Sequence, residues 1–88
     1  MAYQLHVSPA ANRDIKRLDE KARQTVRDAL VALTTDPRPP GCRKLVGWQH
    51  RYRLRIGRWR IIYDAFDGEN VLVVLRIVPR TETTYRRL

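Results

Sequence analysis

The sequence predicts an α+β fold, a helical hairpin laid across one face of a small, mainly antiparallel sheet in the order β-α-α-β-β-β. Three observations predict it. Two apolar stripes at helical spacing fill residues 9–35 almost without a break. Two alternating segments flank Gly57 as a hairpin would. A strongly β-prone run, VLVVLRIV at 71–78, follows the turn-forming DGEN.

Each element has a local reason. Tyr3–Val7 (YQLHV) alternates and reads as a short strand. Ser8-Pro9 is an N-cap followed by proline at the first helical position, where a missing N–H costs nothing. A helix is expected from Pro9 to Leu18, with Ala11, Ile15 and Leu18 on one face. Asp19 caps a second helix, Glu20–Thr35, whose stripe is Ala22, Val26, Ala29, Leu30 and Leu33. Almost nothing joins the two, so they form an antiparallel hairpin.

Asp36–Gly41 (DPRPPG) ends the second helix and opens a loop. Leu45 to Trp48 lead toward the sheet. Tyr52–Ile56 and Trp59–Phe66 are strands with a turn at Gly57 between them. Val71–Val78 is expected to be a central strand buried on both faces, stopped by Pro79. Arg80–Leu88 reads as a short polar tail of one or two helical turns.

Eighty-eight residues suit a single domain, 1–88, with one modest core. No apolar run approaches the roughly 18 residues of a membrane span. The N-terminus lacks the basic-then-apolar layout of a signal peptide. The expectation is a cytoplasmic protein with no membrane partner. Cys42 is the one cysteine, which excludes an internal disulfide and suggests no cysteine-based metal site. No metal and no small-molecule cofactor is expected.

Charge is the informative part of the composition. The chain carries a formal +9, unevenly placed. Residues 1–42 hold seven basic and five acidic groups, net +2. Residues 43–88 hold eleven basic and four acidic groups, net +7. A basic half joined to a nearly neutral one suggests one face for a polyanion and another for packing.

The placement of the arginines sharpens this. Residues 51–66 read RYRLRIGRWRIIYDAF and contain five arginines. With a two-residue turn at Gly57, strand parity puts Arg51, Arg53, Arg55, Arg60, Ile62 and Asp64 on one face. Tyr52, Leu54, Ile56, Trp59, Ile61 and Tyr63 lie on the other, the core face against the helices. With Gly57-Arg58 as the loop Arg58 belongs to the turn and Arg55 opposes Arg60; with Ile56-Gly57 as the loop Arg53 opposes Arg60, and the faces are the same. Like charges opposite one another destabilise a sheet. A solvated charged face is the commonest fate of charged strand residues, but four arginines on one face with only Asp64 nearby point to a bound polyanion. Guanidinium forks suit phosphate oxygens. On the residues alone the reading is phosphate binding, with RNA and DNA both open.

The usual hydrolytic sets are largely missing. His6 reads as structural, and His50 sits beside the arginine strand. No carboxylate pair stands at motif spacing, no glycine-rich loop follows a strand, and Ser8 is explained as a cap. One chemistry needs neither metal nor histidine: the 2′-OH of RNA attacks its own phosphate while cations stabilise the charge growing there. Arginine is a poor general base, with a pKa above roughly 12. Lys44, Tyr85 and Tyr63 remain as acid/base candidates.

Three segments resemble one known family. KLVG at Lys44–Gly47, YRLRIGRWRIIY at Tyr52–Tyr63 and the arginine-to-tyrosine ending from Arg80 to Tyr85 resemble the RelE branch of RelE/ParE-type bacterial toxins. The match extends over the whole chain, helical hairpin included. The resemblance implies the toxin of a type II toxin–antitoxin system, with a co-encoded antitoxin as partner. It implies a ribosome-dependent endoribonuclease that enters the 30S A site and cleaves translated messenger RNA by 2′-OH attack. Carried over by position, it makes Arg60, Arg80 and Tyr85 catalytic, and makes Lys44, Arg53 and Arg55 RNA-binding beside Arg51 of the arginine face.

The sequence departs from the family pattern in three places. Arg53 and Arg55 stand where a lysine base is common, Pro79 where histidine or a basic residue is common, and the spacing from Arg80 to Tyr85 is slightly unusual. Binding is expected to survive these changes more readily than cleavage. The alternatives are a ParE-type toxin that poisons DNA gyrase without cutting RNA, and a member that binds RNA with little or no activity.

Overall fold

A computed structural model describes residues 2–81. Seven elements follow one another: β1 (Gln4–Val7), α1 (Pro9–Lys16), α2 (Glu20–Thr35), β2 (Cys42–Lys44), β3 (Arg51–Ile56), β4 (Trp59–Phe66) and β5 (Val71–Pro79). The strands form one five-stranded sheet in the order β1-β5-β4-β3-β2. β1 runs parallel to β5 and every other pairing is antiparallel. Among the described residues no helix is long and apolar enough to cross a membrane.

The helices begin where their caps dictate. Ser8 Oγ accepts from the Ala11 N–H at 3.1 Å, and Asp19 Oδ1 accepts from the Ala22 N–H at 2.8 Å. α1 stops at Lys16, two residues short of the expected end. Leu18 is buried all the same, in the link between the helices. The stripes fall inward as their spacing requires. Ala11, Leu18, Val26, Leu30 and Leu33 pack against Leu54, Ile61, Tyr63, Ala65, Leu72, Val74 and Ile77. Removing apolar surface of this kind from water contributes about 1.5–3 kcal/mol per large aliphatic side chain.

Two features lay beyond the sequence reading. The first is β2, a three-residue strand after the proline-rich loop, which makes the order β-α-α-β-β-β-β. Three residues give no usable period. The strand exists because β3 offers an unpaired edge, and Cys42 meets Leu54, Arg43 meets Arg53, and Lys44 meets Tyr52. Gly41 opens it at φ +91, a left-handed conformation that a side chain would strain.

The second is a bulge in β5. Ile62 pairs with Arg76 but Tyr63 pairs with Val74, so Leu75 is the extra residue. A bulge interrupts the ladder, and α1 supplies what is missing. The Ser8 hydroxyl donates to the Leu75 carbonyl at 2.9 Å, and the Ile77 N–H donates to Asp14 Oδ2 at 2.9 Å. β5 is internal to the sheet, as expected, but its burial alternates: Leu72 and Val74 are buried while Val71, Val73 and Leu75 are half-buried.

The sheet face away from the helices carries a small apolar cluster of its own. Ile62 and Val78 are buried there, with Leu45 and Leu75 packed against them. Leu45 belongs to the β2–β3 loop, so that loop folds over the outer face.

Candidate nucleic-acid interface

The β3–β4 hairpin turns on Gly57-Arg58, with Ile56 opposite Trp59. Gly57 takes φ +56 in the first loop position, the arrangement that two-residue II′ hairpins use. The register follows at once. Arg51 opposes Asp64, Arg53 opposes Ile62 and Arg55 opposes Arg60. Tyr52, Leu54, Ile56, Trp59, Ile61 and Tyr63 all join the helix-side core. The arginine face therefore exists as parity requires.

Its members are not equivalent. Arg51 is locked in place. Its Nε and Nη2 donate to the two carboxylate oxygens of Asp64 at 2.8 and 3.1 Å, and its guanidinium lies 3.9 Å from the centre of the Trp48 ring. Arg53 is only 9% exposed, in the middle of the face beside the apolar cluster. Arg55 is exposed and faces Arg60, a like-charge pair.

Arg60 leads to the most concentrated charge. An open pocket of about 550 Å³ is lined by Arg58, Arg60, Pro79, Arg80 and Thr81. The Arg80 N–H donates to the Arg58 carbonyl at 2.8 Å, which ties the end of β5 to the hairpin turn. Arg60 and Arg80, far apart in sequence, thus share one site. Arg58 joins them, although the sequence placed it only in a turn.

Lys44 falls elsewhere. It pairs with Tyr52 and shares the parity of Cys42, whose sulfur is 3.0 Å from the Tyr63 hydroxyl on the helix side. Strand alternation puts Lys44 on that side too, away from Arg53, Arg55 and Arg60. Arg43, opposite Arg53, takes the outer-face position instead. The sequence reading missed it because β2 itself was missed, and without a strand there was no parity to read.

The acid/base candidates fare differently. Tyr63 is fully buried. Its hydroxyl donates to the Pro37 carbonyl at 2.6 Å, and burial followed by the Cys42 hydrogen bond drives its pKa well above that of an ordinary tyrosine. It cannot serve as a base on the outer face. Tyr85 lies outside the described residues. His50 is exposed and packs against Phe66, with ring centres 5.0 Å apart. His6 is exposed in the edge strand β1.

Not every cation is available to a polyanion. Arg38 donates to the Tyr52 hydroxyl at 3.1 Å and to Asp67 at 2.7 Å, and Tyr3 donates to the other Asp67 oxygen at 2.8 Å. The bond to Arg38, and then that to Tyr3, holds the Asp67 carboxyl below the usual range. Asp64 is the one acidic residue in β2, β3 or β4. The outer face carries Arg43, Arg51, Arg53, Arg55 and Arg60 against that single carboxylate.

A family model described as ParE toxin of type II toxin–antitoxin system, parDE, matches residues 5–83. The chain belongs to this toxin family, within the RelE/ParE superfamily. No curated protein matches the toxin by sequence. Solved structures share its fold. The toxin superposes on the archaeal RelE–RelB complex of Pyrococcus horikoshii OT3 with a TM-score of 0.83 at 23% identity, covering 94% of this chain and 100% of that one. The RelBE2 toxin–antitoxin complex of Mycobacterium tuberculosis gives 0.79 at 23%, covering 91% and 100%. The isolated E. coli RelE toxin gives 0.78 at 22%, covering 98% and 93%. These likenesses concern the fold, a helical hairpin on one face of a mostly antiparallel sheet.

Proposed function

We propose that this toxin is a metal-independent endoribonuclease that cuts translated messenger RNA at the ribosomal A site. The observation that carries the reading is the meeting of Arg60 and Arg80, with Arg58, in one open pocket at the rim of the arginine face. In the reaction the 2′-oxygen of the substrate bonds to phosphorus and the 5′-oxygen departs. The 2′-OH loses its proton, the leaving oxygen gains one, and a 2′,3′-cyclic phosphate remains. The charge that grows on the phosphate oxygens is what two or three guanidinium groups stabilise. Lys44 lies on the helix side and Tyr63 is buried, so among the described residues the site offers positioning and charge rather than a general base. That composition fits an enzyme that works only where the ribosome holds the message in line. Tyr85 keeps its proposed part, stacking on a base or assisting proton transfer.

A co-encoded antitoxin completes the system. The solved complexes of the same fold pair RelE toxins with RelB antitoxins. We assign this toxin a partner of that kind, acidic or amphipathic, that covers the arginine face or displaces residues 80–88.

A second reading is favoured by the description of the matching family, ParE toxin. In it the same arginines hold DNA gyrase and no RNA is cut. Induction of the toxin separates the two. New 5′ ends within translated frames are expected, whereas DNA breaks with intact messages would establish the gyrase reading. Replacing Arg60 and Arg80 together by alanine is expected to abolish growth arrest with the fold unchanged by circular dichroism. Each single change should slow cleavage by about 10²–10³, the loss typical of one transition-state donor. A fully toxic double variant would remove this pocket from the mechanism.

A further inference from the structure

We propose that Trp48 is a stacking platform for an unpaired RNA base, a few nucleotides from the phosphate held by Arg60 and Arg80. The inference rests on the RNA-binding reading of the arginine face and adds a base-contacting site at its far end.

Four observations carry it. First, the loop that bears Trp48 folds over the outer face. Leu45 packs on Ile62 and Val78 there, and its N–H donates to the Arg51 carbonyl at 2.9 Å. Second, Trp48 is 37% exposed and its neighbour Val46 is 99% exposed. Arg51 covers part of the indole, and the rest of its surface meets water beside a basic face. Third, the ring is held. Arg51 lies 3.9 Å from its centre, and Arg51 is itself pinned by both oxygens of Asp64. The indole is a rigid surface, so little side-chain entropy is lost when a base settles on it. Fourth, the position fits a strand of RNA. Arg51 precedes Arg55 by four residues in β3, which places Trp48 about 13 Å along the face from the Arg55–Arg60 pair at the usual strand rise. A positive track with an aromatic at its end is the arrangement that single-stranded nucleic-acid sites use.

The same geometry gives Arg51 a different task. Its guanidinium is committed to Asp64 and Trp48, so it serves as a positioning residue for the indole rather than as a phosphate clamp.

The test uses the full-length toxin and two probes. One is a 12-nucleotide single-stranded RNA with 2′-O-methyl riboses, which cannot be cleaved. The other is an abasic oligomer of the same backbone. Trp48→Ala is expected to weaken binding to the RNA about tenfold, within the range of base–aromatic stacking. It should leave binding to the abasic probe and the salt dependence unchanged, and Trp48→Phe should restore most of the loss. Fluorescence gives a second readout that needs no truncation. In a Trp59→Phe background Trp48 is the one remaining tryptophan, and its emission should be quenched by the RNA but not by the abasic probe.

Equal effects of Trp48→Ala on both probes, or none on either, would overturn the platform. So would loss confined to antitoxin binding, which makes Trp48 a protein contact. If Arg60→Ala with Arg80→Ala leaves both affinities unchanged, the phosphate face itself fails, whatever Trp48 does. If the wild-type toxin binds neither probe, both proposals fall.

Discussion

Arg76 grips Asp14 with two parallel hydrogen bonds, Nε to Oδ2 at 2.8 Å and Nη2 to Oδ1 at 3.1 Å, and so fastens the last strand to the first helix. Asp14 is 8% exposed and also accepts from the Ile77 backbone. It is the one acid that answers the β5 bulge.

Asp14→Ala would leave a charge and a backbone N–H without their acceptor. Breaking a fully buried pair costs about 3–5 kcal/mol. The Arg76 side chain is 32% exposed, so a loss of about 2–3 kcal/mol in urea unfolding is expected here. A double-mutant cycle with Arg76→Ala should show a coupling of about 1 kcal/mol or more. Additive losses would mean that the pair is incidental.

Arg43 and Lys44 are neighbours in sequence that parity places on opposite faces. Arg43→Ala is expected to weaken binding to single-stranded RNA severalfold and to flatten the salt slope by about 0.7, one phosphate's worth. Lys44→Ala should do neither. The reverse result would show that the site extends to the helix side.

Polyanion binding by this face should be strongly screened. Contact with four phosphates predicts that log K falls against log salt with a slope of roughly −3 for a single strand. Titration between low and physiological salt checks it, and a flat response would remove phosphate contacts from the account.

Tyr63 makes stability depend on alkaline pH. The unfolded chain gives up a phenolic proton near pH 10, and the folded chain holds it to higher pH because the ring is buried and bonded. The contribution of this group is therefore whole below about pH 10 and is lost as pH rises through the folded value. Tyr63→Phe deletes the bond to Pro37 and should cost about 1–2 kcal/mol at neutral pH. The difference between the two proteins should then shrink above about pH 10. A constant difference across that range would contradict the assignment.

Much of the fold was legible because its signals are local. The caps at Ser8 and Asp19, the stripes behind them, and the two-residue turn at Gly57 each rest on a few adjacent residues. They led to the two faces of the hairpin, with Arg55 and Arg60 apart from Leu54 and Ile61, while the choice between the loops Gly57-Arg58 and Ile56-Gly57 came only with the structure. What stayed hidden was non-local. β2 is three residues long and exists only by pairing with β3. The parallel partnership of β1 with β5 joins chain segments more than sixty residues apart. Burial of Ile62 on the outer face depends on Leu45 folding over it from a loop. Within the site, Arg60 and Arg80 were named from the family pattern. Arg58 and Arg43 were missed, one because a turn residue has no face until the chain folds, the other because its strand was not seen.

The bulge at Leu75 has a consequence for the other end of β5. One extra residue shifts the alternation of everything that follows it: Leu72 and Val74 point to the helices, but after the bulge Ile77 does, and Val78 turns outward. Counting on from Val78, Arg80 comes out on the side of Arg60. In an uninterrupted strand it would have come out beneath the helices. The chain thus carries a frameshift in its side chains, set thirteen residues after Ile62 and five before Arg80. Ser8 and Asp14, the cap of the first helix and a residue within it, touch no arginine of the pocket and hold that frame.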